Sequence, residues 1–244
     1  MSHLYFVDRA EAGIVWLCPE DAAHLSRVMR AKVGDVVRLC DGKGTEYEGR
    51  VCQLGADFAK AEILSSKKSE SEPSVAVTLY LGLPKADKLE LVIQKATELG
   101  AVRIVPFVSR FCVAKPKNEE KKLTRWNKIA KEAAKQSARG FVPQVEMPLT
   151  FEQMLSEAAS QNAAFFFYEA GGEALFCEGR LHSRLTGAKT VALITGAEGG
   201  FSPEEAQQAK QAGCVIAGLG PRILRCETAP LAALSALMAL TGNL

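Results

Sequence analysis

The sequence predicts an α/β fold in two parts, a small β-barrel followed by a larger domain built on a parallel sheet. Three observations carry the prediction. Up to residue 64, short runs of β-type residues alternate with turn signals at close spacing. From Val75 onward, strand-like and helix-like segments alternate, the order that builds a parallel sheet. Val75 to Leu83 is almost continuously apolar, as a strand must be when helices cover both its faces. Between the two parts, residues 65–74 read SSKKSESEPS, polar and low in complexity, and look like a linker. The expected domains are therefore residues 1–70 and 75–244.

In the first part, strands are expected over residues 5–7, 14–17, 36–39, 46–51 and 58–64. Gly34-Asp35 and Asp41-Gly42-Lys43-Gly44 supply turns, because glycine accepts positive φ and aspartate bonds its own backbone. One short helix over residues 19–30 interrupts them, with Leu25, Val28 and Met29 facing inward. In the second part, Asp87 and Glu90 cap a helix that runs through Leu99 and stops at Gly100. A strand over 102–108 follows, then a long helix over 118–138 whose Leu123, Trp126, Ala130, Ala133 and Ser137 form one stripe. Residues 151–160 read as a helix, 163–168 as a strand and 179–185 as a poor helix. Residues 191–195 form a buried strand, after which Ser202 as N-cap, Pro203 at the first helical position and Glu205 make a capping box. The last helix starts with Thr228 as cap and Pro230 in its first turn, and carries Leu231, Leu234 and Leu237 or Met238 on one stripe.

At 244 residues, 48% hydrophobic and 24% charged, the chain has an ordinary globular composition and can bury a sizeable core. Its net charge of +2 hides a local imbalance. Residues 1–70 carry ten Lys/Arg against eleven Asp/Glu, whereas residues 110–140 carry ten against three. A basic face is thus expected in the middle of the chain. The seven cysteines are scattered and lack a C-x-x-C pair, and with three histidines no zinc spacing emerges. Free thiols in a reducing cytoplasm and no metal are the expectation. The N-terminus lacks a basic start and an apolar run, and no stretch reaches the ~18 apolar residues of a membrane span. A cytoplasmic protein without a membrane partner is expected.

Two glycine-bearing stretches near the C-terminus carry the chemistry. One reads TGAEGGFSPEE from Thr195, the other GLGPRILRCETAPLAAL from Gly218. In each, a strand runs into a tight loop and then a helix start, which presents unpaired N–H groups in a concave turn. That outlines a small-ligand site. A nicotinamide dinucleotide is disfavoured as the ligand. After Gly218 and Gly220, Ile223 occupies the third glycine's place in G-x-G-x-x-G.

These two stretches resemble the C-terminal knot signature of the SPOUT class of S-adenosylmethionine-dependent RNA methyltransferases, and within it the RsmE family. HLSRVMRAKVGDVVRLCDGKGTEYEG, LGLPKADKLELVIQKATELG and EAAKQSARGFVPQV resemble that family's other blocks, so the likeness extends over most of the chain. It implies a SPOUT-type knotted parallel-sheet domain preceded by a PUA-like β-barrel that contacts RNA. It implies methylation of the N3 position of a uridine in small-subunit (16S) ribosomal RNA, on the RNA or the small ribosomal subunit, by a homodimer paired through the knot domain. It implies that S-adenosylmethionine is held by the knot loops, at Ile194, Thr195, Gly196, Gly199, Gly200, Gly218, Leu219, Gly220, Ile223 and Leu224. Two positions depart from the family pattern: Ala197 stands where proline is common, and Cys226 where threonine is usual.

A direct methyl transfer needs no covalent intermediate, but the uracil nitrogen must lose its proton and the resulting anion must be stabilised. Arg225 is the candidate for that charge, by the logic of preorganised donors. Glu227 or Glu198 is the candidate to orient it or accept the proton, although Glu227 also suits a helix N-terminus on its own account. For RNA, the resemblance implies phosphate contacts by Arg9, Arg27 and Arg30, against the alternative of a solvated charged face. Lys121, Arg125, Lys128, Lys135 and Arg139 recur at helical spacing, interrupted only by Glu132, and form a stripe that can follow a phosphate backbone, with Arg110, Lys115 and Lys117 just upstream, against the alternative of a solvated helix face. Here Lys135 stands where the family often carries Glu. Lys85 follows a strand end and is either a phosphate contact or the polar start of a helix. The alternative function is an RNA-binding protein with a knot that no longer catalyses.

Overall fold

The computed structural model describes residues 3–85, 88–113, 119–170, 173–174 and 184–244. They divide into two compact units, Met1–Glu72 with Ala134–Val142, and Pro73–Ala133 with Pro143–Leu244.

The first unit is a closed barrel of β1 (Leu4–Glu11), β2 (Ile14–Leu17), β3 (Val36–Cys40), β4 (Thr45–Leu54) and β5 (Ala59–Lys68). The strands run in the order β1-β2-β5-β4-β3, and β1 and β3 close the ring in parallel, which leaves no open sheet edge. Tyr5, Val15, Leu17, Leu39, Val51 and Ala61 point inward and form its core. Gly49 is required in the wall. A Cβ there would lie 2.5 Å from a Leu39 methyl group and 3.2 Å from the Ala61 Cβ, next to an irregularity in the β4–β5 register.

Two expectations in this unit need correction. The linker does not begin at residue 65: β5 continues to Lys68, pairing Ser65–Lys68 with Glu48–Thr45, and the Ser69 hydroxyl donates to Glu46 at 2.7 Å. The long strand β4 needed a partner for its first turns of chain, and polar residues serve on a solvated strand face. The helix expected over 19–30 is also shorter. Helix α1 covers Pro19–Ala23, then His24–Val28 widens into a π-helical turn, and Arg30 ends it at φ +52°. The extra residue per turn rotates the apolar stripe. Leu25 stays buried, but Val28 is 65% exposed and Met29 is exposed as well.

The second unit is an entirely parallel sheet. Its strands are β6 (Ala76–Gly82), β7 (Arg103–Val108), β8 (Gln144–Val145), β9 (Leu149–Thr150), β10 (Ala163–Phe167), β11 (Glu173–Ala174), β12 (Thr190–Thr195) and β13 (Val215–Gly218). The order is β11-β13-β10-β12-β6-β7-β8, with β9 beside β7. Helices α2 (Lys88–Glu98), α3 (Glu119–Gln136), α4 (Phe151–Ala159), α5 (Pro203–Gln211) and α6 (Thr228–Leu240) complete it; the last turn of α3 groups with the barrel unit.

Alternation along the strands builds two cores. Val77, Leu79 and Leu81 face α2 and α6 through Leu89, Val92, Leu234 and Leu237, with Trp126 and Ala130 of α3 added. Tyr80, Phe107, Phe166 and Ile194 face α4 and α5 through Phe151, Met154 and Ala209. Each large side chain buried in this way contributes roughly 1.5–3 kcal/mol. The leucine stripe of α6 is thus covered within the chain. Its first helical residue is Thr228, and Glu227 occupies the N-cap position without a side-chain cap. The capping box at Ser202 forms as expected, with Glu205 N–H donating to the Ser202 hydroxyl at 3.2 Å and Ser202 N–H to the Glu205 carboxylate at 2.9 Å. Asp87 and residues 179–183 lie outside the described residues. Among those described, no helix is long and apolar enough to cross a membrane.

Candidate functional site

Three neighbouring strands, β13, β10 and β12, end side by side, and the loops that leave their C-terminal ends converge. Residues 217–226, 167–169 and 195–201 enclose a cleft of about 370 Å³, to which Lys88 of α2 and Ala229 of α6 add one wall. In parallel sheets the C-terminal strand ends are where ligands bind, because the loops and helix starts there are free to vary around a fixed frame. The volume lies at the lower end of the range for small-molecule sites.

The floor is apolar and buried, formed by Phe167, Ala197, Phe201 and Ala217. Phe201 is held there by the aromatic core, its ring centroid 4.1 Å from that of Phe166. Thr195, the last residue of β12, is 1% exposed, and its hydroxyl has no hydrogen-bond partner among the described residues. A buried hydroxyl left unpaired is costly, so this atom suits a ligand that supplies the partner.

The glycines shape the walls. A Cβ on Gly196 would meet the Gly200 Cα at 3.1 Å and the Phe201 ring at 3.2 Å, so the turn closes only without side chains. Gly200 itself sits at φ +62° and bonds back to the Ala197 carbonyl at 3.0 Å. Gly220 sits at φ +100° with open space where a Cβ would point.

The rim is charged. The Lys88 ammonium lies 3.2 Å from a Glu198 carboxylate oxygen and 3.2 Å from one of Glu227, and so ties the loop after β12 to the start of α6. Glu198 also accepts the Lys85 backbone N–H at 3.1 Å, and the Cys226 thiol donates to Glu227 at 3.2 Å. Glu198, then Glu227, hold the Lys88 pKa above its usual value. Burial works to raise the Glu198 pKa, but backbone N–H groups and Lys88 outweigh it and the carboxyl is held low. Glu227 is held low by its own backbone N–H and then by the Cys226 thiol. Burial first, and the Glu227 carboxylate second, push the Cys226 thiol up to about 11. Arg222 and Arg225 line the same cleft from its exposed side, and Ile223 between them is 84% exposed.

Of the residues expected to hold a ligand, Thr195, Gly196, Gly200, Gly218, Leu219, Gly220, Ile223 and Leu224 line this cleft, as does Arg225. Ile194 is a fully buried core residue one position short of it. Gly199 turns away toward Phe111, whose Cβ lies 2.7 Å from where a Gly199 Cβ would be. Sequence reasoning missed Lys88, the Phe167–Glu169 turn and Gly82. The turn had a signal, since Glu169-Ala170-Gly171-Gly172 follows an apolar run as the other two glycine loops do. Lys88 and Gly82 had none, because what they meet is more than a hundred residues away.

The residues expected to meet RNA are divided between the two units. Arg9, Arg27 and Arg30 belong to the barrel unit and are exposed; Arg9 lies over Trp16, 5.2 Å from its ring centroid, and pairs with Glu11. Lys128 is exposed on α3. Lys135 instead pairs with Asp21 at 2.8 Å, and Arg139, 3% exposed, pairs with Glu72 at 2.6 Å. Both turn into the barrel unit, so the helical stripe does not run to Arg139 as a solvent-facing row. Arg110 pairs with Glu204 at 3.1 Å and Lys85 is exposed, both in the sheet unit.

Comparison with known proteins gives this geometry a context. Residues 70–238 match a family model described as an RNA methyltransferase domain, and residues 17–64 one described as an RNA methyltransferase PUA domain. The chain is 36% identical over 231 residues to a Bacillus subtilis protein named ribosomal RNA small subunit methyltransferase E, covering 93% of this chain and 90% of that one. A Synechocystis protein of the same name is 35% identical over 89% of this chain and 70% of its own length. Among solved structures, ribosomal RNA small subunit methyltransferase E from Neisseria gonorrhoeae bound to S-adenosyl methionine superposes with a TM-score of 0.85 at 30% identity, over 98% of both chains.

Proposed function

The chain belongs to the RNA methyltransferase family whose members are named ribosomal RNA small subunit methyltransferase E, and from that premise we propose that it methylates N3 of a uridine in 16S ribosomal RNA. It is an S-adenosylmethionine-dependent RNA methyltransferase with a PUA-like barrel and a SPOUT-type sheet domain. The observation that carries the assignment of the donor site is the three-loop cleft with its glycine-closed turn at Gly196 and a Thr195 hydroxyl that has no partner among the described residues. An apolar floor beside a charged rim fits a donor that is part aromatic base and part charged amino acid. When bound, S-adenosylmethionine supplies a methyl group on a positively charged sulfur, which a nucleophile takes directly.

This chain's residues then have three tasks. The cleft fixes the donor in one geometry, and fixing two reactants relative to each other supplies much of a transfer rate. Arg225, exposed at the rim and lining the cleft, stabilises the charge that spreads onto the uracil carbonyl oxygens when N3 loses its proton. Glu198 and Glu227 pair with Lys88 and not with Arg225, and they do not accept that proton, since carboxylates held below their usual range are poorly matched to so weak an acid. The barrel and the exposed Lys128 and Lys85 meet the RNA backbone. A two-fold homodimer through the sheet unit, the commonest closed arrangement, completes the reading.

Calorimetry tests the assignment. The wild-type chain is expected to bind S-adenosylmethionine and not NAD. Gly220→Val, which forces a β-branched residue to φ +100°, is expected to lose the donor, at a strain of about 1–3 kcal/mol. NAD binding without methyl-donor binding, or a folded Gly220→Val with unchanged donor affinity, overturns it.

A further inference from the structure

We infer that Glu198, Lys88 and Glu227 form a charge-selective rim that favours the sulfonium-bearing donor over its uncharged thioether product, an inference that rests on the methyl-donor reading above. One ammonium stands between two carboxylates at 3.2 Å from each, so the cluster keeps one negative charge in excess. Both carboxyls are held in the ionised form. For Glu198, burial opposes ionisation but the N–H groups of Glu198 and Lys85 and the Lys88 ammonium prevail; for Glu227, its own N–H, the Cys226 thiol and Lys88 act together. The third neighbour, Cys226, stays a neutral thiol and donates to Glu227 at 3.2 Å.

The position of the cluster matters as much as its charge. Lys88 and Glu198 line the cleft opposite a buried apolar floor, and the Glu227 side chain is only 19% exposed. The Lys88 and Glu198 side chains are each 32% exposed, so water and salt screen this rim in part, as they screen the exposed Arg222, Arg225 and Glu169 on the same cleft. That the cleft is built for a polar ligand has an independent sign in the buried Thr195 hydroxyl, which lines it without a partner among the described residues. A ligand with an aromatic part and a charged part places the first on Phe167 and Ala217 and the second toward this rim. Donor and product differ by one positive charge on sulfur, so an excess negative charge separates them and helps product leave.

The experiment is calorimetry on the full chain with S-adenosylmethionine and S-adenosylhomocysteine, for wild type, Glu198→Gln, Glu227→Gln and Lys88→Met. The readout is the ratio of the product's Kd to the donor's. Each glutamine variant removes a negative charge at nearly constant shape and is expected to lower the ratio by about threefold or more. Lys88→Met removes the positive charge and is expected to raise it, the opposite sign. Damage to the loops weakens both ligands alike and leaves the ratio still, so a constant ratio in the glutamine variants, or a ratio that falls in Lys88→Met, overturns the inference. If Lys88→Met does not fold, the two isosteric glutamine variants decide alone. Wild-type protein that binds neither compound overturns the methyl-donor reading itself, and the rim with it.

Discussion

Gly82 is the position where a single methyl group should do the most harm to the cleft without touching it. It ends β6, and a Cβ placed there would lie 2.3 Å from the Ala197 nitrogen, 2.8 Å from the Gly196 carbonyl carbon and 3.1 Å from the Gly196 Cα. Ordinary contact begins near 3.4 Å, so Gly82→Ala requires the strand end and the 196–197 turn to part by about 1 Å. Both partners are backbone, and neither has a rotamer with which to escape. Overpacking of this kind costs typically 1–3 kcal/mol, and a backbone-on-backbone clash belongs at the upper end. For a chain of this size about 3 kcal/mol lowers the melting temperature by roughly 6–12 °C. A shift of 1 Å in a turn that holds one reactant costs on the order of a hundredfold in rate. Thermal unfolding, donor calorimetry and methyl transfer on one preparation read all three. A Gly82→Ala variant that melts within a degree of wild type and binds the donor unchanged would falsify the close approach on which the shape of the cleft depends.

Other perturbations separate residues that look alike in sequence. Arg139→Met strands the Glu72 carboxylate beside the barrel and should lower stability by about 3 kcal/mol, read as a shift in the urea midpoint; an unchanged midpoint means the ion pair is idle. Lys128→Ala should reduce the salt dependence of RNA binding by about one charge and leave donor affinity alone, and a slope equal to wild type returns Lys128 to the solvated face. Cys226, its thiol pushed up to about 11, should be alkylated at pH 8 about two orders of magnitude more slowly than a model thiol, the rate rising tenfold per pH unit; rapid labelling at pH 8 refutes the hydrogen-bonded thiol. Sedimentation equilibrium at micromolar concentration should find a dimer, and a fully active monomer defeats the dimer reading.

The parts of this molecule that follow from neighbouring residues could be read in the sequence. The apolar run from Val75 becomes an interior parallel strand, β6, and Ser202-Pro203 with Glu205 caps a helix as local geometry demands. The two glycine stretches end up as two of three cleft loops, because each sits at a strand end whose position the alternation of elements already dictates. What could not be read depends on residues far apart. Lys88 looks like one more charge on an amphipathic helix until Glu198 and Glu227 arrive beside it, and Gly82 looks like an ordinary strand end until Ala197 approaches. Arg139 matches the period of a basic helical face, yet the chain leaves the helix after Gln136 and carries that side chain to Glu72. At His24–Val28 the error is one of register, since a π-helical turn leaves no mark in a 3.6-residue pattern and moves Val28 from the core to solvent.

The central claim, methyl transfer to a uracil ring nitrogen in small-subunit ribosomal RNA, is tested most directly by mapping base methylation. Small-subunit RNA from cells lacking this chain would be compared, by nuclease digestion and mass spectrometry, with the same RNA after incubation with the purified protein and S-adenosylmethionine. The account predicts one N3-methyluridine that is absent without the protein and restored by it, and not restored by Gly220→Val. A methyl group on another base or another atom, or no methylation by a preparation that binds the donor, contradicts it.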